Sequence, residues 1–500
     1  MIIDTQQVEN GSHISADVAI VGAGPAGLSI ARALAESGAR IVLLESGGTR
    51  VEDAPQELNS GVDGGTIARP GHLQTSRRRV VGGATQLWGG WCRPLDEHDF
   101  RVRSWVPHSG WPFAKAILAP YYRRAAEMLE IEAFERADGT KLALPGPYIL
   151  GKSEPLVQHV YQVSPTKDAR LGKRWLASLA RAENVQVLLH ATALELEANE
   201  SSSLVKQLDV GYLDGKRITV ASKHVVLAMG GIENARLLLN SQGREATGLG
   251  NRHDVVGRYY MEHPWIKAAG GLVIVGAPPV YQGFEDEYHD NRSWRFPALA
   301  IAPEVQERFE LMNFRARLEP IAPAAAPPLQ RAIAKTLTRL KSTRSGAGPQ
   351  FFQLDVSSEQ SPNPESRLTL ADSKDAFGKR QARLNWRLTD FDNRTVRKSL
   401  AIIARELGRW QIGRAQNALD DHGPWPLHTS GACHHMGGTR MHADPKQGVV
   451  DPDCRVHGVA NLFIAGSSVF PTGGVANPTF TIVALGLRLA DYLKRELKPA

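Results

Sequence analysis

The run Cys433-His434-His435-Met436-Gly437-Gly438-Thr439-Arg440-Met441 sets adjacent imidazoles beside a tight glycine turn. Imidazole binds its proton near neutral pH, so the segment offers a general base. Neighbouring residues of an extended segment face opposite sides, so one histidine can face a reactant while the other is structural. Further on, Val475-Ala476-Asn477-Pro478-Thr479-Phe480-Thr481 reads as a helix start. Asn477 stands as N-cap, Pro478 at the first helical position, and Ile482, Val483, Leu485, Leu487 and Leu489 form an apolar run. The amino end of such a helix carries partial positive charge, which suits a ring that becomes negative on reduction. Between the two segments, Asn461-Leu462-Phe463-Ile464-Ala465 is a short apolar strand ending in Gly466 and Ser467. Together these pieces point to redox chemistry.

At the other end of the chain, Asp17-Val18-Ala19-Ile20-Val21 is a buried-strand run entering Gly22-Ala23-Gly24-Pro25-Ala26-Gly27. A helical pattern follows, then Gly38, then a second strand, Arg40-Ile41-Val42-Leu43-Leu44, which ends at Glu45. Strand, G-x-G-x-x-G, helix, strand and acid is the arrangement that binds an adenine dinucleotide. Gly22 makes the tight turn, Gly24 and Ala26 leave room for a pyrophosphate, and Gly27 lets the helix pack on the strand. Glu45 is placed to accept hydrogen bonds from a ribose diol. The fingerprint alone leaves NAD and FAD both open.

Other segments must complete such a site. Val81-Gly82-Gly83-Ala84-Thr85-Gln86-Leu87-Trp88-Gly89-Gly90 brings two glycine pairs around a tryptophan and can lie flat along an extended cofactor. Its candidate contacts are Gly83, Ala84, Trp88, Gly89 and Gly90. His224–Gly231 reads as a strand into a glycine turn, with Ala228 and Gly230 at its end, preceded by a separate strand over Arg217–Val220. The fold expected is α/β. A Rossmann-like domain is assembled from residues 14–100, 183–250 and 430–500, and a second domain from 101–182 and 251–429. The second domain is expected to be an antiparallel sheet flanked by helices. Phe351–Val356, Ser366–Leu370 and Ala382–Leu388 are its candidate strands, and Asp392–Trp410 is an amphipathic helix. Arg331–Arg344 mixes Ile333, Leu337 and Leu340 with basic residues; it reads as a solvated helix on a core, or as a contact with a membrane surface or partner.

The chain has 500 residues, a net charge of +7 and no basic–aromatic array, which argues against nucleic-acid binding. No apolar run approaches membrane-spanning length, so an integral membrane protein is not expected. The start, Met1-Ile2-Ile3-Asp4, lacks a basic-then-apolar leader, and the expected location is cytoplasmic. The cysteines are Cys92, Cys433 and Cys454, with no C-x-x-C pair; Cys433 has no second cluster at ligand spacing, so no metal site is expected.

These motifs, in this order along most of the chain, resemble the glucose–methanol–choline (GMC) family of FAD-dependent oxidoreductases. Within it the likeness is to the bacterial pyranose oxidase-like and sugar dehydrogenase branch. The resemblance rests on Val21–Gly27 with Glu45, Val81–Gly90, Ala228–Leu239, Glu359-Gln360-Ser361-Pro362-Asn363-Pro364, His435–Thr439 and Asn477–Thr479. It implies FAD rather than NAD. It implies His435, four residues before Thr439, as catalytic base and Asn477 as the second active-site residue. Gly466, Ser467, Asn477, Pro478 and Thr479 then lie against the cofactor. The implied activity is oxidation of a hydroxyl of a sugar, glycoside or related polyol to a carbonyl, with hydride passing to flavin N5. Another flavin-dependent oxidation, or a lyase step in secondary metabolism, is the alternative. The electron acceptor would be oxygen, a quinone or a partner redox protein. Relatives that bind FAD covalently use a histidine in the glycine segment. Leu87 takes that place here and no histidine lies between His72 and His98, so FAD is expected to be non-covalent. Glu359, Gln360 and Asn363 are candidates for binding sugar hydroxyls, or for capping turns.

Overall fold

The computed structural model describes residues 1–498 apart from 5–6, 67–68, 136–140, 143–153, 166–169, 244, 275–293, 341–348, 410–412, 418, 420–424 and 426–428. Residues 341–344 of the basic segment and Trp410 therefore lie outside the described residues.

Val18, Ala19, Ile20 and Val21 are all buried, because the strand His13–Val21 sits mid-sheet with both faces covered. It pairs in parallel with Ile41–Leu44 on one side and Arg217–Leu227 on the other. Val185–Leu188 and then Ile2–Ile3 extend the parallel array beyond Ile41–Leu44, and Leu462–Ile464 adds to Arg217–Leu227. Val205–Gly211 and Thr192–Ala198 close the other side as an antiparallel meander. The two strands expected over residues 217–220 and 224–231 are in fact one strand of 11 residues. Its first half pairs with the meander and its second half with Leu462–Ile464, so it changes neighbours without a break.

The second sheet is antiparallel throughout. Its order is Gly413–Asn417, Pro264–Ile274, Gln350–Ser358, Phe314–Ile321, Trp294–Ile301, Leu156–Val163 and Trp91–Cys92, with Thr429–Gly431 also pairing with Pro264–Ile274. The helix Asp390–Arg409 lays Val396, Leu400, Ile403 and Leu407 on one face, against Phe314, Ala316, Leu318, Leu354 and Val356. Strand alternation turns Arg315 to the opposite face, toward the first sheet.

Two expectations need correcting. The runs near 366–370 and 382–388 do not join the strand over 351–356. They form a separate hairpin, Arg367–Lys374 with Arg380–Asn385, completed by Gly61–Val62 in parallel. Within 14–100, moreover, Gly61–Val62 and Trp91–Cys92 each pair with strands of the 101–182 and 251–429 stretches. Pairing is decided by loop paths that periodicity does not encode. The helix Pro328–Leu340 packs Ala334 and Leu337 on Val273 and Phe351, and leaves Arg331, Lys335 and Arg339 exposed, as for a solvated helix on a core. Among the described residues no helix is long and apolar enough to cross a membrane.

Candidate active site

The expected cofactor residues converge on one cavity. It is lined by Gly22, Gly24, Ala26, Glu45, Gly83, Ala84, Trp88, Gly89, Ala228, Gly230, Gly466, Ser467, Asn477, Pro478 and Thr479. Gly27 and Gly90 do not line it. Gly27 packs behind the turn, where a Cβ would stand 1.9 Å from the Gly22 carbonyl oxygen. Gly90 leads into the strand Trp91–Cys92, and its carbonyl accepts from Ser164 N–H at 2.8 Å.

The cavity has the features an FAD needs. Gly22 has φ +102°, and a Cβ there would meet the Ala228 carbonyl oxygen at 2.7 Å, so the turn is open only to glycine. The helix Pro25–Leu34 starts at the cavity with no side-chain cap, leaving its first N–H groups for an anion such as a pyrophosphate. Glu45 is buried at the tip of its strand, and its oxygens accept from Ala23 N–H and Gly47 N–H, both at 2.9 Å. Burial raises its pKa even against those bonds. Around the same wall, Asn59 Nδ2, Ser76 Oγ and Trp88 Nε1 are buried without protein partners, as polar atoms awaiting a ligand are.

At the far end, Thr429–Gly431 runs beside the start of Pro264–Ile274, and Met436 bridges to Met261. Between these pairings Cys433 takes φ +58°, a left-handed kink that turns the following histidines apart. His434 faces Asn477, and His435 faces Glu262 and His72. His435 and Asn477, expected together at the reacting centre, both line the cavity, but the Asn477 amide is turned to His434. Asn477 Nδ2 lies 3.2 Å from His434 Nε2, whereas His435 Nε2 is 3.6 Å from Glu262 Oε1 and makes no hydrogen bond. Asn477 also makes no cap bond; the helix is Thr479–Glu496, and the amide side chain is used elsewhere. Spacing to Thr439 singles out His435; it is the kink at Cys433 that turns His434 toward Asn477.

The contacts around His434 have a fixed direction. Gly474 C=O can only accept, so His263 Nε2 donates to it at 2.9 Å and His263 Nδ1 is bare. His434 Nδ1–H therefore donates to His263 Nδ1 at 2.8 Å, which leaves His434 Nε2 unprotonated. From the other end, the Arg315 guanidinium can only donate, and its NH1 fixes Asn477 Oδ1 at 2.9 Å. Asn477 Nδ2 must then face His434 Nε2, donor to acceptor. Both ends agree on the tautomer. Burial, then the charges of His263 and Arg315, holds the His434 pKa well below the ordinary imidazole value. Burial and Arg315 likewise bring His263 down to about 4.

His435 sits in a second cluster. His72 Nε2 and Glu262 Oε1 are 2.6 Å apart, and Tyr260 Oη donates to the same carboxylate at 2.5 Å. Burial works to raise the Glu262 pKa, but His435 and His72 prevail and hold it at about 2. Burial lowers His435 to about 4 despite Glu262. Among the described residues, His72, Glu262 and His435 are the one group whose ligand atoms could converge on a metal ion, all within 4.8 Å. The candidates Glu359, Gln360 and Asn363 lie away from the cavity. Glu359 is held by both Arg103 nitrogens at 2.8 Å and by Asn313, and accepts from Gly474 N–H at 3.1 Å. Gln360 accepts from the Trp386 indole, and Asn363 caps a turn through Glu365 N–H. Arg315 escaped sequence reasoning, since it lies in no motif and only sheet geometry brings it in; His263, in the segment His263-Pro264, reads from sequence as packing rather than chemistry, whereas the structure sets it against His434.

Residues 17–275 match the family described as FAD dependent oxidoreductase, and residues 362–486 match GMC oxidoreductase. This chain is a GMC oxidoreductase. It is 29% identical over 312 residues to the fructose dehydrogenase large subunit of Gluconobacter japonicus, covering 61% of this chain and 53% of that one. The match thus spans about half the length of that relative. With the C-glycoside 3-oxidase of Arthrobacter globiformis it is 25% identical over 540 residues, 97% of this chain and 96% of the other. The crystal structure of a formate oxidase superposes with a TM-score of 0.60 at 18% identity, over 98% of this chain and 99% of that one, and shows the shared fold. The glycine cradle and the uncapped helix ends are the features of this cavity that suit FAD.

Proposed function

We propose that this GMC oxidoreductase oxidises a carbinol of a sugar, glycoside or related polyol to a carbonyl, with His434 taking the hydroxyl proton. The observation that carries the reading is the directed chain Gly474–His263–His434–Asn477–Arg315, which presents a bare Nε2 on the cavity wall. The relatives named for fructose and for a C-glycoside support the substrate class.

An alcohol hydroxyl is too weak an acid to ionise unaided near neutrality, so a base must remove its proton as the carbon is oxidised. In the resting site Asn477 Nδ2–H occupies the lone pair of His434 Nε2. A substrate hydroxyl entering between them donates to Nε2 and accepts from Asn477 Nδ2–H, so one contact becomes two. The proton moves onto His434 while His263 keeps its hold on Nδ1–H, which fixes the ring as it becomes charged. FAD, when bound, supplies the acceptor for the hydride. The uncapped amino end of the helix Thr479–Glu496 directs partial positive charge at the same wall. His435 lines the same cavity within the Glu262–His72 cluster, without contact to Asn477. FAD is held without a covalent bond in this reading, which the absence of any histidine between His72 and His98 supports; acid precipitation should release all the flavin.

The test is anaerobic bleaching of the flavin band by sugars, glycosides and polyols. His434→Ala should slow it by roughly 10²–10⁴-fold, as for loss of a general base, and His435→Ala should do much less. The reverse order would move the base to His435. If no alcohol bleaches a flavin that is demonstrably bound, the oxidation itself is wrong. Admitting air then distinguishes oxygen from other acceptors.

A further inference from the structure

Arg315 is 7% exposed, and no carboxylate among the described residues lies within ion-pair distance of it. A buried guanidinium normally sits with a carboxylate, because taking a lone charge out of water is expensive. The carboxylates on the same face of the sheet are engaged elsewhere: Glu319 by Arg317, and Asp355 by the Trp265 indole. Arg315 is held instead by stacking, 5.2 Å over the Trp91 ring and 5.0 Å over Tyr161, and by one hydrogen bond to Asn477. Among the described residues its Nε and NH2 make no hydrogen bond, and they are not sealed from the cavity that Arg315 lines. Trp91 and Trp265 line the same space.

We propose that Arg315 is the seat for a carboxylate on the substrate, so that this enzyme acts on a polyhydroxy acid, an aldonate or uronate, rather than on a neutral sugar. The inference rests on the alcohol-oxidation reading above and narrows its substrate class. One amide separates Arg315 from the hydroxyl position beside His434, so the oxidised carbinol lies within a few carbons of the carboxylate. The anion pairs with the guanidinium fork through Nε and NH2, while NH1 keeps Asn477 oriented.

The holoenzyme is tested in two ways. Anaerobic flavin reduction is compared for gluconate against glucitol and for glucuronate against glucose, in wild type, Arg315→Lys and Arg315→Gln. Separately, malonate, which has no carbinol to oxidise, is titrated against the flavin spectrum. Wild type should favour each acid by about 10- to 100-fold in kcat/KM, from charge-assisted bonds. Arg315→Gln should erase that preference mainly through KM, and Arg315→Lys should keep part of it. Malonate should bind wild type and lose at least about tenfold affinity in Arg315→Gln. Equal rates for acid and neutral partners in wild type, with no malonate binding, would overturn the proposal. So would an Arg315→Gln variant that slows both partners alike, which would make Arg315 only a prop for Asn477. If malonate binds through Arg315 but no carbinol reduces the flavin, the anion seat stands and the oxidation reading fails.

Discussion

Replacing His263 by Phe removes the acceptor of His434 Nδ1–H, a contact of 2.8 Å on a fully buried ring. Leaving that N–H unpaired costs about 1–3 kcal/mol. His434 can escape the penalty by moving its proton to Nε2, the atom that must be bare for catalysis. That tautomer would face Asn477 Nδ2 donor to donor, and Asn477 cannot rotate to relieve it while Arg315 holds Oδ1. Neither tautomer is then satisfied, the ring loses its fixed orientation at about the same energetic cost, and the rate of flavin reduction at saturating substrate should fall roughly 5- to 150-fold. The loss should appear in kcat more than in KM, with flavin content unchanged. His263→Asn, which restores an acceptor near the Nδ1 position, should recover part of the rate. In a His434→Ala background the Phe substitution should add nothing, because the two act as one unit. The assay is stopped-flow bleaching under nitrogen. A His263→Phe enzyme within about twofold of wild type would refute the claim that this bond sets the tautomer.

Three further outcomes follow from the same geometry. Because the His434 pKa is driven well below 6.5 by burial and neighbouring charge, its basic form persists as pH falls. The acid limb of kcat/KM should then lie well below pH 6.5, and a midpoint at or above that value would count against a neutral His434. His263 and His435, each held at about 4, stay neutral in the fold while the unfolded chain takes protons from about pH 6.5 downward. Their contribution, up to about 3 kcal/mol each, is complete above pH 6.5 and is lost as pH falls toward 4. The urea midpoint should drop across that window, less steeply in His435→Phe, and a flat profile would contradict it. Glu233 pairs with Arg77, Arg79 and Arg236, so Glu233→Gln leaves buried guanidinium groups uncompensated. It should cost about 3–5 kcal/mol in chemical denaturation; a loss under about 1 kcal/mol would mean that water already screens the cluster.

The sheet that carries the cofactor was readable because its signals are local. A buried apolar run, glycines at fixed offsets and an acid at the next strand end each report their own neighbourhood. The helix after Asn477 was legible for the same reason, although Asn477 spends its side chain on His434 rather than on a cap. What failed was long-range. The hairpin Arg367–Asn385 pairs with Gly61–Val62, some 300 residues away, and no periodicity announces that partner. Which histidine faces Asn477 turns on one left-handed residue, Cys433, of a type that rarely takes that conformation. Arg315 looked like any arginine on an alternating strand. Its importance comes from the carboxylates around it being engaged, which is a property of neighbours and not of sequence.

The bonded row from Gly474 to Arg315 crosses between the two sheets three times. Gly474, His434 and Asn477 belong to the C-terminal stretch that completes the first sheet, whereas His263 and Arg315 stand on strands of the second or at their edge. The proton acceptor is therefore also a rivet. A hinge motion that parted the sheets to admit substrate would tear the row and scramble the tautomer it enforces, so loading must proceed by local displacement of side chains or loops. The same coupling constrains evolutionary drift: the sheet that selects the substrate cannot shift without detuning the base.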